Sequence, residues 1–244
     1  MVIDDKVVFI PIPKNASWSM EHTCVEYEFD LKYPSKIWEN QLKSDYKNTE
    51  KHLHSTINDL LERFGTNFEY IAIIRDSTDR FISAWKYFVE AMVNSINSTL
   101  GEKIKNVGNE FIINFIKENH LEFCNAYNSL ESRKSLLIKL VDKLGISKEY
   151  PIDGGFIERY TVHIFSFVSQ YQWITNDKVI VKQFDFNNLK ELEDYMSNKF
   201  NVDFKLIYKN KTNLDYCAVT RTPELVEFVD RYIDGVVKRS KSII

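Results

Sequence analysis

The sequence predicts an α/β protein: a parallel sheet flanked by helices on both faces, built as a single domain over residues 1–244. Three observations carry this. Two short apolar strands, at 7–10 and 70–74, each run into a turn that holds a cation and then into a helical pattern. Strand and helix patterns alternate along the chain instead of grouping by type, which is how parallel sheets with crossover helices read. The 244 residues are 44% hydrophobic and 27% charged, enough for one large domain with a substantial core. No repeat, linker or low-complexity segment divides it.

The elements follow in order. Strand 7–10 leads into the loop Pro11-Ile12-Pro13-Lys14-Asn15-Ala16-Ser17 and a helix over about 18–27. Residues 28–50 are polar, aromatic and aperiodic, an excursion on the acceptor side. A helix over 57–64 has Ile57, Leu60, Leu61 and Phe64 on one face. Thr56 with Asp59 reads as its N-terminal cap and Gly65 as its stop. Strand 70–74 becomes continuously apolar, as a buried parallel strand does. The helix after it, over about 78–92, has a buried stripe of Phe81, Ala84, Trp85, Phe88 and Met92. Ser83 falls off that stripe, so its hydroxyl is free to face a ligand. Residues 94–108 read as a loop and a second acceptor-side excursion. Helices over 110–118 and 131–144, a turn at Gly154-Gly155, a strand over 179–181 and a helix over 189–200 come next. Thr222-Pro223 opens the last helix, with proline in its first turn. Leu225, Phe228, Val229, Tyr232, Ile233 and Val236 carry its stripe toward Arg239.

The net charge of −3 excludes a broad nucleic-acid-binding surface, so any anion site is local. No stretch is long and apolar enough to span a bilayer. The first residues lack a basic region, and the apolar run ending at Ile12 is short, so it is a first strand and not a signal peptide. A cytoplasmic location is the default expectation. The three cysteines, Cys24, Cys124 and Cys217, are widely spaced and read as reduced, buried thiols. No metal-ligand spacing is present.

The two strand–turn–helix segments carry the chemistry. In open α/β sheets ligands bind beyond the carboxyl ends of the strands, and both segments sit there. At the first, the helix start has free backbone N–H groups and a positive dipole end, and Lys14 adds a full charge. The loop lacks the G-x-x-x-x-G-K-S/T pattern of nucleotide-triphosphate loops: its lysine precedes the small residues instead of following them. At the second, Arg75 ends the strand and can fork onto phosphate oxygens.

Together these segments resemble the PAPS-dependent sulfotransferases, above all the carbohydrate-modifying branch. That family has an I-P-K-T-G-G-T-S style loop for the 5′-phosphosulfate and an R-D-P-x-x-R-F-x-S-A-Y style segment for the 3′-phosphate. The matches here are Ile12-Pro13-Lys14, Ser17 and Ser19, and then Arg75-Asp76, Arg80-Phe81 and Ser83-Ala84-Trp85. The resemblance covers the first ~90 residues; beyond them only the order of elements agrees. It implies a P-loop-like fold, PAPS as sulfonate donor with PAP as product, no metal, and a small-molecule or glycan acceptor.

It also implies roles. Lys14 steadies the sulfonate and the departing phosphate oxygen. Asn15, Ala16, Ser17, Trp18 and Ser19 give backbone N–H groups to the 5′ end, with hydroxyls from Ser17 and Ser19. Trp18 stands where relatives carry a small hydroxylic residue; it closes the nucleotide side or simply starts the helix. Arg75 and Ser83 match the 3′-phosphate pair, and Ser77 replaces the usual proline. Arg80 is open between an ion pair with Asp76 or Asp79 and a structural contact in the nucleotide site.

Sulfuryl transfer needs an in-line acceptor, cations and N–H donors on the leaving group, and a base for the acceptor hydroxyl. Lys51-His52-Leu53-His54-Ser55 lies where relatives place a histidine. His54 best fits the offset to the following helix, whose N-terminus keeps an imidazole neutral and able to accept a proton. His52 and Glu50 are the other candidates. His163, Gln170 and Lys182 loosely match the family's acceptor-side H-x-x-x-Q segment. Lys209, Lys211 and Arg221 form a basic stretch before the last helix; relatives use such a loop near the nucleotide, but here it reads as a solvated basic turn. Two other readings share the architecture. A kinase would need a Walker lysine-serine pair and a magnesium aspartate, and a nucleotide-binding module without turnover would need no base.

Overall fold

The computed structural model describes residues 1–33, 55–94, 98–126, 129–148, 150–208 and 217–235. In chain order the elements are β1 (Val2–Ile3), β2 (Val7–Phe9), α1 (Ser17–Glu26), β3 (Leu31–Lys32), α2 (Ile57–Phe64), β4 (Glu69–Ile74) and α3 (Ser77–Val93). There follow α4 (Ser98–Lys105), α5 (Asn109–Glu118), α6 (His120–Asn125), α7 (Leu130–Lys143), α8 (Gly154–Phe165) and α9 (Gln170–Ile174). Then come β5 (Val181–Asp185), α10 (Lys190–Phe200) and α11 (Pro223–Phe228), the last continuing as a π-helix over Val229–Asp234. These elements fall into two compact units, Met1–Asp76 with Gln170–Lys211 and Ser77–Ser169 with Thr212–Ile244.

The first unit holds a five-stranded sheet of order β3-β1-β2-β4-β5. β2, β4 and β5 are parallel, with Phe9 opposite Ile71 and Ile71 opposite Lys182. The sheet is mixed, because β1 runs antiparallel to both β2 and β3. The reason is a two-residue turn. Asp4 and Asp5 both take left-handed backbone, at φ 47° and 51°, and Lys6 N donates to Ile3 O at 3.0 Å. Left-handed residues at both central positions suit the twist of a hairpin. β3 lies inside the stretch that reads as aperiodic.

The strand period of two sorts β4 between the faces. Ile71 and Ile73 join Val7, Phe9, Met20 and Cys24 of α1, and Leu192 and Met196 of α10, in one apolar cluster. Tyr70 points the other way, and its hydroxyl donates to Gly65 O at the end of α2, at 2.5 Å. Helices therefore cover both faces. α2 begins with a complete capping box: Asp59 N donates to Thr56 Oγ1 at 3.3 Å, and Thr56 N to the Asp59 carboxylate at 2.8 Å. Gly65 ends it at φ 75°.

The second unit is helical. The stripe of α3 is buried as the periodicity predicts, with Trp85 and Phe81 packed on Phe167 at ring separations of 5.9 and 5.7 Å. Three sequence expectations are corrected. Within 94–108 the chain forms α4, whose Ile104 is fully buried; its two apolar residues, Leu100 and Ile104, are one turn apart and too few to show a period. Gly154-Gly155 opens α8 instead of turning, because the Asp153 carboxylate accepts from Phe156 N at 2.8 Å. The strand expected over 179–181 runs from Val181 to Asp185. Thr222 caps α11 as expected, its hydroxyl accepting from Leu225 N at 3.3 Å. No helix among the described residues is long and apolar enough to cross a membrane.

Candidate active site

The Lys14 loop leaves the carboxyl end of β2. Ile10 N still pairs with Ile71 O at 2.9 Å, and Asn15 N closes a turn onto Ile12 O at 3.3 Å. Lys14 and Ala16 both take left-handed backbone, at φ 67° and 59°. Each costs an L-residue about 1–2 kcal/mol, so something must hold the loop in place.

Two buried amides do. Asn15 is 1% exposed, and its side-chain NH2 donates to Ile73 O and to Gln170 Oε1, both at 2.8 Å. Gln170, also 1% exposed, accepts from Arg75 N at 3.1 Å and donates from Nε2 to Arg75 O at 2.5 Å. Gln170 thus pairs with the backbone of Arg75 as a neighbouring strand would. Through Asn15 it ties the Lys14 loop to the end of β4. The Arg75 guanidinium lies over the Phe186 ring, 4.6 Å from its centroid, and donates weakly to Lys14 O at 3.5 Å. Lys14 and Arg75, from distant parts of the sequence, are brought together at one edge of the sheet.

Helix α1 starts at this edge. Its N-cap, Ala16, has no side chain to accept a hydrogen bond, and the first turn carries no acidic residue. No side chain caps this helix start, and the positive end of its dipole suits an anion. Ser17 and Ser19 are buried, at 7% and 3% exposed. Trp18 packs against the apolar cluster beneath the sheet, which accounts for a large residue at a position that needs only its backbone. This donor set fits a sulfated or phosphorylated nucleotide: one lysine, one arginine and a run of helix-start N–H groups.

In the second unit Ser83 is half-buried on α3, off the apolar stripe. Arg80 is structural. It is 2% exposed and donates to Ser166 O at 2.6 Å and to Val168 O, the carbonyls just past the end of α8. Asp79 receives Arg221 at 2.8 Å, so the basic turn is not simply solvated. His163 packs among the rings of Tyr87, Tyr160 and Phe88. In the first unit, Lys182 lies over the Tyr195 ring at 4.2 Å. Burial pushes the Cys24 thiol up, and all three cysteines are free. His52, His54, Glu50, Lys209 and Lys211 lie outside the described residues.

Two features escape sequence reasoning. One is the pairing by Gln170, which the loose H-x-x-x-Q match places on the acceptor side. The other is Asp234, 2% exposed, which accepts from Ser77 Oγ and from Ser169 Oγ, the latter at 2.6 Å. The partners are more than 150 residues apart in both the Asn15–Gln170 and Ser77–Asp234 bonds, and no local pattern signals such pairs.

A model of the sulfotransferase family matches residues 1–130, more than half of the chain and both strand–turn–helix segments. No curated protein and no solved structure matches it. With the Lys14 loop, the uncapped helix start and the family match in agreement, the chain belongs to the sulfotransferase family and is a PAPS-dependent sulfotransferase.

Proposed function

We propose that this enzyme moves a sulfonate group from PAPS to a carbohydrate hydroxyl, with His54 as the base. The observation that carries the donor side is the tie between the Lys14 loop and Arg75 through Asn15 and Gln170, beside the uncapped start of α1. PAPS supplies an activated sulfonate on a phosphate leaving group. Lys14 and the N–H groups of residues 15–19 meet the charge that builds on the departing 5′-phosphate oxygen. Arg75 takes the 3′-phosphate as a fork, and the motif puts Ser83 on the same group. The acceptor oxygen attacks sulfur in line, the sulfur–oxygen bond to the phosphate breaks, and the acceptor proton passes to the histidine.

His54 is favoured by its place two residues before the capping box of α2, whose N-terminus disfavours an imidazolium. His52 and Glu50 remain the substitutes. The carbohydrate acceptor rests on the branch that the two motifs most resemble.

Calorimetric titration with PAP, with ATP and ADP as controls, tests the donor site. PAP binding at micromolar strength or tighter, with ATP and ADP much weaker, is the expected outcome. ATP binding in place of PAP refutes the reading. For the base, His54→Ala should abolish transfer from PAPS to a panel of sugars while leaving PAP affinity intact. Full turnover in that variant would remove His54 from the role.

A further inference from the structure

The sheet of the first unit sets an aromatic ring beside Arg75. Phe186 N donates to Ile74 O at 2.8 Å, which carries the parallel ladder of β4 and β5 one residue past Asp185. The chain then turns at once: Asn187 N donates to the Asp185 carboxylate at 2.8 Å, and Asn188 N to Asp185 O at 3.0 Å. Backbone bonds on both sides thus fix where the Phe186 side chain starts. Its half-buried ring packs against the apolar cluster of the first unit, and the Arg75 guanidinium lies over it, 4.6 Å from the centroid. Both residues belong to that unit.

Two arginines lie over rings among the described residues. Arg231 and Tyr232 are neighbours in the chain and stand 5.6 Å apart, a contact that adjacency alone supplies. Arg75 and Phe186 are closer in space and far apart in sequence, so the pairing of β4 with β5 makes their contact. An aromatic face attracts a guanidinium as a whole charge and is no carboxylate or carbonyl, so it restrains the group without competing with an oxyanion for its N–H donors. Gln170 holds only the backbone of Arg75, at its N–H and its carbonyl. The long side chain beyond has rotamer freedom to lose when it grips a phosphate, and a support that orders it beforehand lowers that cost.

We propose that Phe186 is a positioning residue for donor binding: its aromatic face orders the Arg75 guanidinium before the phosphate arrives. This rests on the reading of PAPS as donor and of Arg75 as its phosphate fork. Dissociation constants for PAP and for adenosine 5′-phosphate, which lacks the 3′-phosphate, are measured by calorimetry on the wild type, Phe186→Leu and Phe186→Tyr. Leucine keeps an apolar contact with the cluster but has no ring face. Phe186→Leu should weaken PAP about three- to thirtyfold and leave adenosine 5′-phosphate unchanged, while Phe186→Tyr, which keeps the face, should restore most of the loss. In a second series Phe186 is replaced by its mono-, di- and trifluorinated forms, which keep the shape of the ring and drain negative charge from its face. PAP affinity should fall stepwise along that series, which keeps the proposal testable if Phe186→Leu folds poorly.

A ring that served only to fill space would weaken both nucleotides together in Phe186→Leu and show no trend with fluorine; either result overturns the proposal, as does equal PAP affinity in wild type and Phe186→Leu. Tighter PAP binding along the fluorinated series would mean that the ring draws Arg75 away from the phosphate, again overturning it. Failure of the wild type to bind PAP refutes the donor reading itself, before any variant is consulted.

Discussion

At the scale of single residues, Gln170 ties the Lys14 loop to the end of β4 through Asn15. Gln170→Ala leaves the Arg75 backbone N–H and carbonyl and one Asn15 amide proton without their partner. Leaving such groups unsatisfied costs about 1–3 kcal/mol, read as a lower urea midpoint. The diagnostic outcome is a loss of PAP affinity on top of that, because the strained Lys14 backbone is no longer held. Gln170→Glu should also lose PAP affinity, since it turns an oxygen toward Arg75 O where the amide donated. A stable Gln170→Ala with full PAP affinity would show that the loop holds itself. Glu21 gives a pH signature of a different kind. It is 7% exposed, and burial raises its pKa despite the hydrogen bond from Tyr33 Oη at 2.6 Å. A raised folded-state pKa means that the folded protein binds the proton more tightly than the unfolded chain. The stability this gives is fully present below the unfolded carboxylate pKa and is lost as pH rises through the folded one. Glu21→Gln does not titrate. Its stability relative to wild type should therefore rise with pH from the ordinary carboxylate range upward, as measured by urea unfolding at a series of pH values. A difference that falls with pH would contradict the buried-carboxyl account.

At the scale of elements, what was legible in the sequence is what neighbours in sequence decide. Thr56, Asp59 and Gly65 specify both ends of α2 within ten residues, and the bounds of that helix follow. The stripe of α3 repeats often enough to show its period. By contrast, α4 offers only two apolar residues, and the Asp4-Asp5 turn that creates β1 carries no glycine or asparagine to mark it. The parallel strands and both cations were legible, but the groups that position them were not. Gln170 and Asp234 act across the whole length of the chain, where a sequence pattern has no purchase. Asp234 belongs to the π-helix that extends α11, and it receives hydroxyls from the start of α3 and from Ser169. Extra residues of this kind inside helices often mark places where a side chain is re-aimed. Asp234→Ala removes the acceptor of the buried Ser169 hydroxyl and of the half-buried Ser77 hydroxyl, and should cost about 1–3 kcal/mol. Asp234→Asn, which keeps an acceptor oxygen, should cost less. Urea unfolding of the two variants checks the order, and equal stability of Asp234→Ala and wild type would mean that the two serines find other partners.

At the scale of the molecule, the chain passes between its two units, among the described residues, at Asp76–Ser77 and at Ser169–Gln170, and each unit holds its own side of both passages. In the first unit Gln170 pairs with Arg75; in the second Asp234 receives Ser77 and Ser169. Lys14, Arg75 and the start of α1 all belong to the first unit, so occupancy of the proposed donor site should be visible in the unfolding of that unit. A ligand that binds only the folded protein stabilises it by about 2.7 kcal/mol when present at a hundred times its dissociation constant. For a chain of this size that corresponds to a rise in Tm of roughly 5–10 °C. The buried tryptophans allow the effect to be placed, since Trp173 lies in the first unit and Trp85 in the second. In variants that keep only one of these as the reporter, PAP should raise the transition seen by Trp173, because Lys14, Arg75 and the start of α1 belong to its unit. Lys14→Ala should lose most of that rise without lowering the Tm of the free protein by a comparable amount, since its side chain is only half-buried. A PAP-induced shift that survives Lys14→Ala intact would mean that the anion is held elsewhere, and that the loop at the end of β2 is not where the donor binds.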